Sequence, residues 1–161
     1  MNSFILYLAS FITSTTLQIS SPAFKENEMI PSRYTCEGLN MSPALDIKNI
    51  PSQTKSLAII VDDPDAPGGN YDHWILWNID PSEAIPENTE AGVKGRNGKG
   101  NTGYTGPCPP TGTHHYHFKV YALDMQLTLK EDASKQELQT AMDGHVLAMG
   151  ELVGLYQKVN Q

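Results

Sequence analysis

Three polar clusters in this chain bring together residue types that can do chemistry. The first is Asp62-Asp63-Pro64-Asp65-Ala66-Pro67-Gly68-Gly69, which packs three carboxylates into four residues directly after an apolar run. Pro and Gly hold such a turn rigid, so it either aims a carboxylate into a cleft or caps the strand through Asx hydrogen bonds. The second is Asp72-His73-Trp74, where the histidine is either a packed core residue or part of a site. The third runs from Gly106 to His117. In an extended segment His114 and Tyr116 project to one face, and His115 and His117 to the other.

If Asp63, His73 and His114 converge, the acid would hold a histidine tautomer and favour its charged form, which suits a phosphoryl or carboxylate group. Tyr116 would add a phenol donor, and backbone N–H groups of the Gly-rich turn would add a concave nest for an anion. Other chemistries fit less well. A metal site drawn from His73, His114 and Asp63 lacks ligand spacing. A Ser-His-Asp triad has no G-x-S-x-G elbow, because no serine lies between Ser82 and Ser134. Phosphate-loop and dinucleotide fingerprints are absent. A site rich in donors and without an evident nucleophile reads as a binding site, with no catalytic residue, cofactor or metal assigned.

The elements that must position these residues are mostly strands. Ser56–Val61 is a β-branched apolar run, Trp74–Ile79 repeats its character, and His117–Leu123 alternates. Residues 92–113, crowded with Gly and Pro, form a long loop. Ser134-Lys135-Gln136-Glu137 has the form of a capping box and starts a helix, after which Glu151–Lys158 returns as a final strand. Many short strands with one late helical stretch, and no regular crossover helices, predict a mostly β, two-layer sheet domain.

At 161 residues the chain is sized for one domain. Eighteen acidic against eleven basic side chains leave a formal charge of −7, without the basic field that nucleic acid or anionic lipid needs. No apolar run reaches the ~18 to 20 residues of a membrane span. Residues 1–16 form an apolar extension that reads as an export leader, as a segment packed on the domain, or as the product of a start placed too far upstream. Export would place residues 17–161 in the periplasm or outside the cell; otherwise the domain is cytoplasmic. Cys36 and Cys108, outside any CxxC pair, are either one disulfide in an exported chain or two thiols in a reducing cytosol.

Four stretches carry a family resemblance: Ser21-Pro22-Ala23-Phe24 through Gly38, Asp63-Pro64-Asp65-Ala66-Pro67, His73-Trp74-Ile75-Leu76-Trp77-Asn78, and Gly103-Tyr104-Thr105-Gly106-Pro107-Cys108-Pro109-Pro110 running into His114-His115-Tyr116. In this order and separation they resemble the phosphatidylethanolamine-binding proteins, also called Raf kinase inhibitor-like proteins, in their bacterial and archaeal branch. The resemblance spans about residues 19–158.

It implies a large central antiparallel sheet, a smaller second sheet, one or two short helices near the C-terminus, and a shallow anion pocket. Carried over by position, Asp63, His73, His114 and Tyr116 bind the ligand and Gly106 and Pro107 form the wall. Pro64, Asp65, Pro67 and Trp74 shape the pocket, with Ala66-Pro67 the bond expected to be cis. His115, His117 and His145 are expected to lie outside it. The implied partners are a small phosphorylated or anionic ligand, with a protein kinase or serine protease as the alternative through the rim. A weak hydrolase using His73 and His114 is a third reading, and eukaryotic kinase regulation does not carry over to this shorter chain.

Overall fold

The computed structural model describes residues 16–159; all but the last residue of the apolar extension 1–16 lies outside them. Along the chain the strands are β1 (Gln18–Ser20), β2 (Leu45–Lys48), β3 (Ser56–Asp63), β4 (Tyr71–Ile79), β5 (Ala84–Ile85), β6 (Val93–Lys94), β7 (His114–Leu123) and β8 (Val146–Tyr156). A 3₁₀ turn occupies Ser32–Tyr34, and the helix α1 covers Lys135–Met142. The strands form two antiparallel sheets, of order β1-β2-β5 and β6-β4-β3-β7-β8.

Burial explains why the strand patterns differ. All eight residues of β3 are buried, because it is the middle strand of the larger sheet and both its faces are covered. A strand covered on both faces reads as a continuous apolar run. Leu57, Ile59 and Val61 join Leu45, Ile47, Ile85 and Phe118 in the core between the sheets. Ala58 and Ile60 join Ile75, Trp77, Leu138 and Met142 in a second core beneath α1. Strand β7 alternates because part of its second face is uncovered, and this alternation was legible in the sequence.

Helix α1 begins where the capping box places it: Ser134 Oγ accepts from the Glu137 N–H, while Glu137 Oε2 accepts from the Ser134 N–H at 2.8 Å. Strand β8 starts at Val146, five residues before the expected start, because it pairs with nearly the whole length of β7, from Leu123↔Val146 to His114↔Tyr156. The loop 92–113 contains a short strand, β6, on the free edge of β4.

Two features steer the site. Strand β4 carries an extra residue between the pairs Val61↔Trp74 and Asp62↔Asp72. Such a bulge re-aims the side chain it inserts, and here it turns His73 toward the face that bears Tyr116, the two rings lying 5.1 Å apart and edge to face. The Asp63–Asn70 turn is also built differently from the expectation. Ala66-Pro67 is trans, as is every described peptide bond. The chain reverses instead through Gly68 (φ +85°) and Gly69 (φ +117°), with the Gly69 N–H donating to Ala66 O at 3.1 Å. Two adjacent glycines in the left-handed region close the turn without overcoming the trans preference of ~0.5 to 1 kcal/mol.

Candidate functional site

A cavity of about 290 Å³ opens where the Asp63–Asn70 turn, the start of β4, the loop before β7 and the start of β7 meet. Asp63, His73, His114 and Tyr116 all line it, although they come from three strands. Asp63 and His114 are paired at its floor: Nδ1 of His114 donates to Asp63 Oδ2 at 2.7 Å, with the side chains 8% and 4% exposed. The other carboxylate oxygen accepts the Asp65 N–H at 2.8 Å, so Asp63 caps its own turn while holding the imidazole. Both sequence readings of this carboxylate are therefore realised in one residue.

His73 is held by the loop. Its Nδ1 lies 2.7 Å from the carbonyl oxygen of Thr105, which can only accept, so this nitrogen carries the proton. The Thr105 N–H in turn donates to His73 O at 2.9 Å. Burial pushes the His73 pKa below its ordinary value, although the Thr105 carbonyl and the charges of Asp63 and Asp72 oppose the shift. At neutral pH the ring is uncharged and Nε2 keeps a lone pair. Burial, then the charge of Asp63, raise the Tyr116 phenol far above its usual range, so it remains a protonated donor.

Not every expected residue lines the cavity. Gly106 and Pro67 do. Pro107 is buried behind the wall, its carbonyl accepting the Cys36 N–H at 3.1 Å. Trp74 points into the core between the sheets, edge-on to Tyr104 at 5.7 Å. Pro64 faces a separate shallow depression with Asp62 and Lys119. Asp65 reaches His115, accepting from its Nδ1 at 2.7 Å and its backbone N–H at 2.9 Å. His117 pairs with Glu151 and His145 with Asp124, both away from the cavity.

Part of the Gly-rich turn has no N–H to offer a ligand. The Gly106 N–H is taken by Asn40 Oδ1 at 2.7 Å, and Pro107, Pro109 and Pro110 have no N–H to offer. What the loop supplies is apolar wall. Cys108 lines the cavity and is disulfide-bonded to Cys36, with Cα atoms 5.4 Å apart. The disulfide was one of two open readings.

Tyr71, Thr105 and Lys99 also line the cavity and had not been singled out. Tyr71 packs 4.8 Å from the His73 ring. Its position at the strand start beside Asp72 was the one available hint; Thr105 acts through its backbone, and an isolated lysine in a Gly-rich loop carries no pattern.

An antiparallel two-sheet domain with a small polar-floored cavity at one end of its larger sheet is thus the class of protein that fold and site define. The family model of the phosphatidylethanolamine-binding proteins matches residues 20–157, and the chain belongs to that family. It is 53% identical over 154 residues to a UPF0098 protein of Pyrococcus horikoshii, covering 89% of this chain and 77% of that one. Among solved structures, a phosphatidylethanolamine-binding protein homologue from Chlamydia trachomatis superposes with a TM-score of 0.86 at 41% identity, covering 90% of this chain and 99% of that one. Escherichia coli YbcL superposes at 0.81 with 32% identity, covering 88% and 98%.

Proposed function

We propose that this protein is a non-enzymatic binding module whose cavity captures the phosphoryl or carboxylate head group of a small ligand, and that capture regulates its association with a protein partner. The observation that carries the reading is the buried Asp63–His114 pair at the floor of an otherwise largely apolar cavity. With both Nδ1 atoms engaged, His114 and His73 each leave Nε2 for a ligand, and Tyr116 adds a phenol. The lining contains no serine, and its cysteine, Cys108, is held in a disulfide.

His73 shapes the choice of ligand. Its uncharged ring presents an acceptor, so an oxyacid that keeps one proton can donate to Nε2 while its remaining oxygens accept from Tyr116. Inhibition of a kinase or protease through the rim has less behind it. The carboxypeptidase Y inhibitor, solved in complex with its cognate proteinase, shares the fold at 16% identity, a likeness of fold alone.

Calorimetric titration of the full chain with inorganic phosphate and with phosphoethanolamine tests the reading. Saturable binding is expected, together with its loss in His114→Ala and Asp63→Ala variants that keep the wild-type circular dichroism. Unchanged affinity in both variants, or no binding by the folded wild type, refutes it. A panel of phosphoesters should meanwhile show no turnover.

A further inference from the structure

The bulge in β4 decides which face each neighbouring side chain takes. Beyond it Asp62 pairs with Asp72 and Asp63 with Tyr71, so Tyr71 and His73 line the cavity while Asp72 stands beside Asp62 on the side of α1. A strand without the extra residue would exchange these faces, since a one-residue slip reverses every side chain past it. His73 would then turn toward α1 and leave the cavity.

The observed register sets two carboxylates, Asp62 and Asp72, directly opposite each other on neighbouring strands, an arrangement that repels. Asp62 is well answered. Lys119 Nζ donates to its two oxygens at 2.8 and 3.1 Å, and Asn70 Nδ2 donates to its Oδ2 at 3.0 Å. Asp72 has no such company: its Oδ1 is closed off from solvent without an aligned donor. Among the described residues the ammonium that pairs with it is that of Lys135, 2.5 Å away, which also reaches Asp62 Oδ2 at 3.4 Å.

Lys135 is the first residue of α1, where a positive charge opposes the helix dipole. Its place there is unfavourable for the helix and favourable across the interface, between two facing acids. The loop supports the same segment from its edge, through Gly98 N–H to Asp72 O at 2.7 Å and Thr105 N–H to His73 O at 2.9 Å. Those bonds hold the backbone and leave the charge of Asp72 unanswered.

We propose that Lys135 is a positioning residue of the cavity: by bridging Asp62 and Asp72 on the α1 face, it holds the β4 bulge that turns His73 toward Tyr116 on the opposite face. No residue of α1 lines the cavity, so Lys135 acts through strand register. The consequence for a ligand rests on the anion-binding reading above; the placement of His73 does not.

The test is NMR of the full chain, as wild type, Lys135→Gln, Lys135→Arg and Lys135→Gln/Asp72→Asn. The reporter is the His73 Nδ1–H resonance, assigned by its loss in His73→Gln, with its Overhauser contacts to the Tyr116 ring. Lys135→Gln should displace or broaden this resonance and weaken the contacts while the circular dichroism stays that of the wild type. Lys135→Arg should keep them, and the double variant should regain them, because removing one facing charge removes the need for the bridge. Affinity for phosphoethanolamine, read by calorimetry, should fall about three- to tenfold in Lys135→Gln and recover in the double variant. An unmoved His73 resonance in Lys135→Gln overturns the proposal. So does a displaced resonance that the double variant fails to restore, since Lys135 would then serve the helix alone. If Lys135→Gln does not fold, a folded double variant with the wild-type resonance supports the charge account and an unfolded one overturns it. A wild type that binds no phosphoethanolamine removes the anion reading, and the resonance by itself then decides the role of Lys135.

Discussion

Removing the Cys36–Cys108 disulfide should separate the stability of the domain from the geometry of its cavity. The bridge joins residues 72 positions apart. In the chain-entropy treatment, freeing a loop of that length returns to the unfolded chain about 15 cal/mol/K, or about 4 kcal/mol at 25 °C. Against a typical total of ~5 to 15 kcal/mol this is a large share. The cavity wall is nevertheless tied down independently: Cys36 N–H donates to Pro107 O at 3.1 Å, Gly106 N–H to Asn40 Oδ1 at 2.7 Å, and the Tyr104 hydroxyl to Tyr34 O at 2.8 Å. A Cys36→Ser/Cys108→Ser double variant should therefore stay folded at low temperature and bind phosphate within a few-fold of wild type. Its stability from urea unfolding should fall by about 4 kcal/mol, with an m-value no smaller than that of the wild type, because the unfolded chain freed of the cross-link exposes more surface. Adding reductant should shift the wild type in the same way and leave the variant unmoved. An unchanged midpoint in the variant would refute the entropic account; a normal midpoint shift with abolished phosphate binding would show that the bridge, and not those hydrogen bonds, holds the wall.

Four further outcomes are expected. Because burial lowers the folded pKa of His73, the unfolded chain binds a proton that the native state refuses; stability should fall as pH drops from about 6.5 toward the folded pKa, and His73→Gln should lose that slope in pH-dependent denaturation. On the proposed reading this ring accepts a P–OH proton, so the affinity for a phosphomonoester such as phosphoethanolamine should weaken as pH rises past its second pKa of about 6, where that proton is lost, a trend that pH-stepped calorimetry would reveal or exclude. Gly106→Ala would place a Cβ 2.4 Å from Tyr34 O and 2.6 Å from Asn40 Oδ1; a loss of about 1 to 3 kcal/mol in thermal unfolding is expected, and a neutral substitution would mean that the wall yields. Burial alone would raise the pKa of Asp62, but hydrogen bonds from Lys119 and Asn70 and the charges of Lys119 and Lys135 bring it below the ordinary value. Its contribution is present above the unfolded pKa of ~3.9 and is lost as pH falls through the folded pKa, so acid unfolding of Asp62→Asn should show a shallower pH dependence.

Much of the site is legible in the sequence. Strict alternation in a strand put His114 and Tyr116 on one face and His115 and His117 on the other, since a period of two is a local property of extended backbone. The rigid turn after β3 marked Asp63 for the same reason, because Pro and Gly restrict the chain wherever it goes. His73 was identified through resemblance, yet alternation alone would set it opposite Trp74. The register slip between β3 and β4 decides its direction, and a slip is a property of two strands together. Lys99 and Tyr71 reach the cavity through packing between segments far apart in sequence, with Gly98 lying on the Tyr71 ring.

The sequence by itself therefore determined the strand content, the late helix with its cap, the acid turn and the two faces of β7, all of which follow from backbone restrictions acting within a few residues. Tertiary structure alone decided that Cys36 meets Cys108, that the Gly106 amide is spent on Asn40, that Trp74 is core while its neighbour His73 lines the cavity, and that Lys99 lines it as well. Each of these depends on which distant segments share a surface. Burial and hydrogen-bond satisfaction settle that only when the two sheets close around one core.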